Sequence, residues 1–172
     1  MEDNQFDTAL TVAYRFLGYS ARSTSEMRRR LERSEFDPDV VEAVISDLTD
    51  KGYLNDNQFA QDWIEDRADR KRYGRTRLAD ELRRKGVERD TIDQHVGQVS
   101  VEDEIRRATN AVMVRWPNGI QVADGNAEPD ATYRYQNCPV NRERARIASY
   151  LQRRGFEWSV IQQVLASVVD NR

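Results

Sequence analysis

MRRRLERSEFDPDVVEAVISDL (residues 27–48), LADELRRKGVERDTIDQHVGQV (78–99) and IASYLQRRGFEWSVIQQVLASV (147–168) align without a gap. The apolar residues fall in one register. The first window has Met27, Leu31, Phe36, Val41, Ile45 and Leu48; the second has Leu78, Leu82, Val87, Ile92, Val96 and Val99; the third has Ile147, Leu151, Phe156, Ile161, Leu165 and Val168. The first two positions lie four apart, on one face of a short helix, and the last three lie at i, i+4 and i+7 of a second helix. A repeated helix pair is the reading to test before any single motif.

The joint between the two helices is also repeated. Asp37, Glu88 and Glu157 stand just before the second helix, where an acid meets the positive helix end. Asp37 is a strong N-cap residue, and Pro38 after it suits the first helical position. Phe36, Val87 and Phe156 precede Val41, Ile92 and Ile161 by five residues, the spacing of a hydrophobic staple. Gly86 and Gly155 permit the left-handed residue that ends a helix. The first repeat has Glu35 there, which predicts a strained or differently shaped turn.

Each pair is preceded by a further apolar stripe of helical spacing. Residues 5–18 carry Phe6, Ala9, Leu10, Ala13, Phe16 and Leu17; residues 56–72 carry Phe59, Ala60, Trp63, Ile64 and Ala68; residues 101–116 carry Ile105, Ala108, Val112 and Trp116. Ser23 and Glu26 have capping-box spacing before the second helix of the first repeat. The fold class is therefore all-α: an elongated array of three tandem three-helix repeats, about nine helices, with cores shared between neighbours. The repeats span 1–54, 55–99 and 100–172. Residues 117–138 are an insertion in the third, with short alternating ends (Ile120, Val122; Tyr133, Tyr135) around a turn-rich middle. That pattern suits a small hairpin or an irregular loop.

Composition agrees. Of the 172 residues, 38% are hydrophobic and 33% charged, which suits thin helical layers better than one thick core. The net charge is −3, so the global balance points to no nucleic acid. Locally the sign changes: between 67 and 85 lie nine basic residues against three acids. A single cysteine, Cys138, excludes an internal disulfide framework and suits a reducing compartment. The acidic start MEDNQFDTAL has no signal-peptide pattern, and no apolar run reaches the ~20 residues that span a bilayer. A cytoplasmic location is expected.

The basic segment is the candidate surface. Arg67, Arg70, Lys71, Arg72, Tyr73, Arg75, Arg77, Arg83, Arg84 and Lys85 gather around a connection between two helices. Guanidinium groups there would meet phosphates, and Tyr73 would stack on a base or a protein surface. Arg70, Arg72 and Arg75 are expected to be exposed. Arg153 and Arg154 are the matching cations of the third repeat; like Arg83 to Lys85, they also sit where a helix C-terminus favours positive charge. Arg28 to Arg30 read as a solvated face, and Trp63, Trp116 and Trp158 as core or interface residues. His95 has no neighbouring His or Cys for a metal, and Cys138 no adjacent base. No phosphate-binding glycine loop or paired-carboxylate pattern is present. No catalytic residue, metal or cofactor is expected.

The run GYLNDNQFAQDWIEDRADRKRYGRTRLADELRRKGV, residues 52–87, resembles the signature of the RecX family of recombination regulators. The matching elements are Gly52-Tyr53-Leu54, Phe59-Ala60, Trp63, Arg67, Gly74, Glu81-Leu82 and Lys85-Gly86. The three-repeat layout, with Arg154-Gly155-Phe156 at the last turn, carries the resemblance over nearly the whole chain. Two departures are Asn55, where an acid is usual, and the 117–138 insertion. The resemblance implies a regulator of homologous recombination and DNA repair, and the chain itself is expected to be a monomer. Such proteins bind the filament of a RecA-type recombinase on single-stranded DNA, lie in its groove, and suppress its ATPase and strand-exchange activities without a cofactor. The competing readings are a helical DNA-binding protein and an adaptor using the basic middle repeat. Residues 76–96 look like a helix-turn-helix, but Glu88, Asp90, Asp93 and Gln94 on its second helix would repel phosphates.

Overall fold

A computed structural model describes residues 2–117 and 139–169, all of them helix or short connection. Nine α-helices occur among the described residues: α1 (Glu2–Leu17), α2 (Thr24–Glu32), α3 (Pro38–Asp50), α4 (Asp56–Asp66), α5 (Arg75–Arg84), α6 (Arg89–Gly97), α7 (Val101–Arg115), α8 (Pro139–Arg153) and α9 (Trp158–Val169). They follow the repeat: a leading helix, then a helix pair, three times. The expected hairpin lies in 118–138, outside the described residues, as does Cys138.

The eighteen register positions behave alike. All are buried or half-buried, the half-buried ones being Phe36, Val96, Val99 and Val168. Phe36 packs against the core that holds Val41, as a hydrophobic staple should. Pro38 opens α3, but Asp37 makes no side-chain cap bond; its contribution is its charge at the helix start. Ser23 and Glu26 form the expected capping box, Glu26 N–H donating to Ser23 Oγ at 3.1 Å and Ser23 N–H to Glu26 Oε2 at 3.4 Å.

Two expectations need correction. Val99 does not belong to the second helix of its repeat: α6 ends at Gly97, and Ser100 is already extended as the N-cap of α7, accepting from Asp103 N–H at 3.0 Å. Two helices cannot meet across so short a connection unless the first stops early. Nor is 56–72 one α-helix. It is regular to Asp66, widens into a π-helical turn over Arg67–Lys71, and ends at Arg72 in the left-handed region (φ 53°).

The chain forms two compact units. Unit 1 is residues 1–65 with 79–96, and unit 2 is residues 66–78 with 97–172. In unit 1, α1, α2 and α3 pack together around Ala9, Ala13, Met27, Leu31, Val44 and Leu48, all fully buried. In unit 2, α7, α8 and α9 enclose Ala108, Val112, Ile147, Leu151, Ile161 and Val164.

Candidate partner and nucleic-acid interface

The turns that end α2, α5 and α8 have one backbone shape. Glu35, Gly86 and Gly155 hold φ of 60°, 77° and 79°. The first repeat's turn is thus of the same form, with a non-glycine residue in the left-handed well. After the two glycines the chain closes with the same bond: Val87 N–H to Leu82 O and Phe156 N–H to Leu151 O, both 3.2 Å.

What distinguishes the glycines is what lies against them. In unit 1, Ser23 Oγ donates to Lys85 O at 2.6 Å, and a β-carbon on Gly86 would come within 2.5 Å of Ser25 Cβ. In unit 2, Gly74 N–H donates to Arg154 O at 2.9 Å and Thr76 N–H to Gly155 O at 3.2 Å. A β-carbon on Gly155 would lie 2.8 Å from Arg77 Cα, and one on Gly74 would lie 2.6 Å from Phe156 N. In repeat register Ser23 matches Gly74, Ser25 matches Thr76, and Lys85 matches Arg154. The same joint is built twice, from the turn of one repeat and the start of a helix in the repeat before it. At the matching position of the first repeat Glu35 is exposed, and there a β-carbon is admitted.

The basic segment runs through these joints, so many of its cations have structural tasks. Lys85 pairs with Glu26 at 2.6 Å and lies 4.8 Å from the centre of the Trp63 ring. Arg75 is corrected from its expected exposure. Its backbone N–H donates to Glu104 Oε1 at 2.9 Å, its Nε lies 3.3 Å from Glu104 Oε2, and its Nη2 donates to Val99 O. Glu104 is 1% exposed. Burial raises the Glu104 carboxyl pKa, opposed by the hydrogen bond and charge of Arg75. Buried Arg107, depressed chiefly by desolvation, donates from Nη1 to Tyr73 O at 3.3 Å. These contacts hold the connection 72–75 in place.

Other members of the segment face water. Arg70 has an 80% exposed side chain and pairs with Asp66 at 2.9 Å, while Arg67 is half-buried and pairs with the same carboxylate at 2.6 Å. Lys71 is exposed and Arg72 half-buried. Tyr73 is half-buried, with the Arg77 guanidinium 5.2 Å from its ring centre. Arg83 pairs with Asp80 at 2.6 Å on the surface of α5, and Arg84 beside it is exposed. Arg154 donates to Lys71 O and lies 4.8 Å from the Tyr150 ring centre, while Arg153 is exposed. The connection 70–73 and the end of α8 are thereby brought together in unit 2.

The sequence reading named Arg153 and Trp116 singly and did not bring them together with their neighbours in space. Arg115 and Trp116 at the end of α7, with Arg142, Arg146, Tyr150 and Arg153 on α8, line an open cleft of about 420 Å³. Their signal was present: Arg142, Arg146 and Arg153 share a helical face, with the small Ala145 and Ser149 between them. Trp158 also differs from expectation, being 56% exposed. Its register partners Pro38 and Arg89 are exposed too, so the repeat itself predicted its position. Trp63 and Trp116 are half-buried, and His95 is held by Asn57 Oδ1 at 3.2 Å.

Charge separates strongly between the units. The described residues of unit 1 carry 11 basic and 19 acidic groups, whereas those of unit 2 carry 14 basic and 7 acidic. Helix α6, where a helix-turn-helix would read DNA, exposes Asp90, Asp93 and Gln94. Among the described residues no helix is long and apolar enough to cross a membrane, and no group of His, Cys, Asp and Glu is placed to hold a metal ion.

Residues 9–48, 55–95 and 133–165 match the family models of the first, second and third three-helix domains of RecX. The regulatory protein RecX of Corynebacterium efficiens is 31% identical over 156 residues, covering 91% of this chain and 69% of the relative. That of Deinococcus radiodurans is 31% identical over 170 residues, covering 98% and 72%. The crystal structure of RecX from Lactobacillus salivarius superposes with a TM-score of 0.75 at 14% identity, over 96% of this chain and 97% of that one, a likeness of fold. With its three-helix domains in that order and relatives matched over nearly its full length, this chain belongs to the RecX family of regulatory proteins.

Proposed function

We propose that the protein regulates homologous recombination and DNA repair by binding the filament of a RecA-type recombinase on single-stranded DNA and lowering its ATPase and strand-exchange activities. The observation that carries this reading is membership of the RecX family across all three repeats. The regulator acts in the cytoplasm, as a monomer, by occupying a surface, with no chemistry and no cofactor of its own. Exposed positive charge for the filament comes in unit 2 from Arg70, Lys71 and Arg153, with Arg72 and Tyr73 next to the first two in the chain, and in unit 1 from Arg83 and Arg84. Arg67, Arg75, Arg77 and Arg154 set the local shape within unit 2, and Lys85 does so within unit 1.

The test is the single-strand-dependent ATPase of a recombinase with the protein added at sub-stoichiometric amounts. Inhibition is expected, and it should weaken at least tenfold in the double variant Arg70→Glu, Lys71→Glu. Both side chains are exposed, so circular dichroism should show unchanged helix content. Raising salt should weaken the wild type in the same direction, because charged contacts are screened and counterions released. An ATPase rate indifferent to the wild-type protein at any ratio would remove this reading.

A further inference from the structure

We infer that Lys71 is a lysine-acylation site, where an acyl phosphate held by neighbouring guanidinium groups transfers its acyl group to the Lys71 amine. The chemistry of the site needs no recombinase; its regulatory consequence rests on the function proposed above.

The first observation is scarcity. Only three of the 27 Lys and Arg residues are lysines: Lys51, Lys71 and Lys85. An arginine keeps its charge throughout, whereas acylation removes the charge of a lysine. The second is what the three amines touch. Lys51 pairs with Asp47 at 2.8 Å, and Lys85 pairs with Glu26 at 2.6 Å beside the Trp63 ring. Lys71 is exposed, and its amine makes no ion pair among the described residues.

The third is presentation. Lys71 closes the π-helical turn, and the backbone there is tied down. The Lys71 carbonyl accepts from Arg154 Nη1, and Tyr73 O, two residues on, accepts from Arg107 Nη1 at 3.3 Å. The exposed amine therefore stays in one neighbourhood, and that neighbourhood is cationic. Arg70, with an 80% exposed side chain, and Arg72 flank it in the chain, and Arg154 joins them at the Lys71 carbonyl. Asp66 is taken up by Arg67 and Arg70, which leaves Asp69 as the one acid within the turn.

Guanidinium groups hold phosphate oxygens by charge-assisted hydrogen bonds. An acyl phosphate held there is carried to the one lysine amine that no carboxylate occupies. The unprotonated Lys71 amine attacks the carbonyl carbon; the C–N bond forms, and the C–O bond to phosphate breaks with its electron pair. The amine proton passes through water to the departing phosphate. The product is a neutral amide, and the exposed connection has lost one positive charge. Arg70, Arg72 and Arg153 cannot be neutralised this way, so Lys71 is the adjustable charge among them.

The experiment treats the full chain with acetyl phosphate and, separately, with uncharged p-nitrophenyl acetate, following each lysine by peptide mass spectrometry. With the ester, Lys71 should acetylate roughly two- to fivefold faster than Lys51 or Lys85, whose amines must first leave a carboxylate. With acetyl phosphate that preference should widen by roughly a further fivefold, and high salt should erase the widening. Arg70→Gln, Arg72→Gln should lose the widening too, with circular dichroism unchanged. The proposal is overturned if Lys71 is no faster than the paired lysines, if both donors give the same preference, or if the double variant keeps the wild-type widening. In the recombinase ATPase assay, acetyl-phosphate treatment should weaken inhibition by the wild type roughly threefold, the effect of one exposed charge. Treated and untreated Lys71→Arg should match each other; equal losses in wild type and variant would overturn Lys71 as the adjustable charge. The labelling contains no recombinase, so its failure and a failure to inhibit are read separately.

Discussion

The joint in unit 1 and the joint in unit 2 use the same register positions and different chemistry. In unit 1 the contact is made by side chains: Ser23 Oγ reaches Lys85 O, and the Ser25 side chain covers Gly86. In unit 2 it is made by backbone: Gly74 N–H and Thr76 N–H donate to Arg154 O and Gly155 O, and the Arg77 backbone covers Gly155. Rotation can move the Ser25 hydroxyl away from an intruding methyl but not its β-carbon, whereas at Gly155 a hydrogen-bonded backbone would have to part as well. Two turns of the same shape, both ending in glycine, should therefore tolerate substitution very differently. Glu35, with the same φ and no joint, is the control that isolates the backbone cost.

The largest effect is expected at Gly155→Ala. The methyl would overlap the Arg77 main chain as well as sit at positive φ, and the summed overpacking and strain should cost roughly 2–5 kcal/mol. Urea unfolding followed by circular dichroism should place it well below the wild type; equality with Gly86→Ala would break the comparison. At Gly86→Ala the left-handed strain adds to a contact with the Ser25 β-carbon that a small shift of the start of α2 must clear, so a loss of about 1–3 kcal/mol is expected. A loss as large as that at Gly155 would mean that Ser25 is locked in place. The smallest effect has the opposite sign. Glu35→Gly relieves the left-handed strain but loosens the unfolded chain, and should stabilise by roughly 0.5–1 kcal/mol. Destabilisation would show that the Glu35 side chain makes a contact worth more than its strain.

Much of this was legible because helical periodicity is local. The eighteen apolar positions, the capping box at Ser23 and the left-handed turns were all set by neighbours within a few residues. The burial of Arg75 against Glu104 was not, since twenty-nine residues separate them and only the joint brings them together. The π-helical turn at Arg67–Lys71 was hidden for a related reason: its apolar stripe continues in α-helical spacing, while the backbone widens toward Arg72. The candidate surface was found only in part. A basic run is visible as composition, but which cations face water depended on joints that the run does not announce. The cleft on α8 was not assembled because its arginines stand four and seven residues apart along the helix, where no run of positive charge appears.

The two units are interleaved along the chain, and this has a consequence for how the protein is made. Residues 66–78 belong with a partner set that begins at 97, while 79–96 complete a set that began at residue 1. On a ribosome, which delivers the N-terminus first, α1 to α3 can bury Met27 and Leu48 early, but Gly86 must emerge before Ser23 finds the Lys85 carbonyl. The start of α5 closes in two steps, Arg75 meeting Glu104 once α7 emerges and Gly74 N–H meeting the Arg154 carbonyl only when that residue, eighty further on, is synthesised. Until then the connection carrying Arg70, Lys71 and Arg72 is tied to α7 but not to the end of α8. A nascent chain paused before α8 would expose its basic segment in a form that the finished protein does not present.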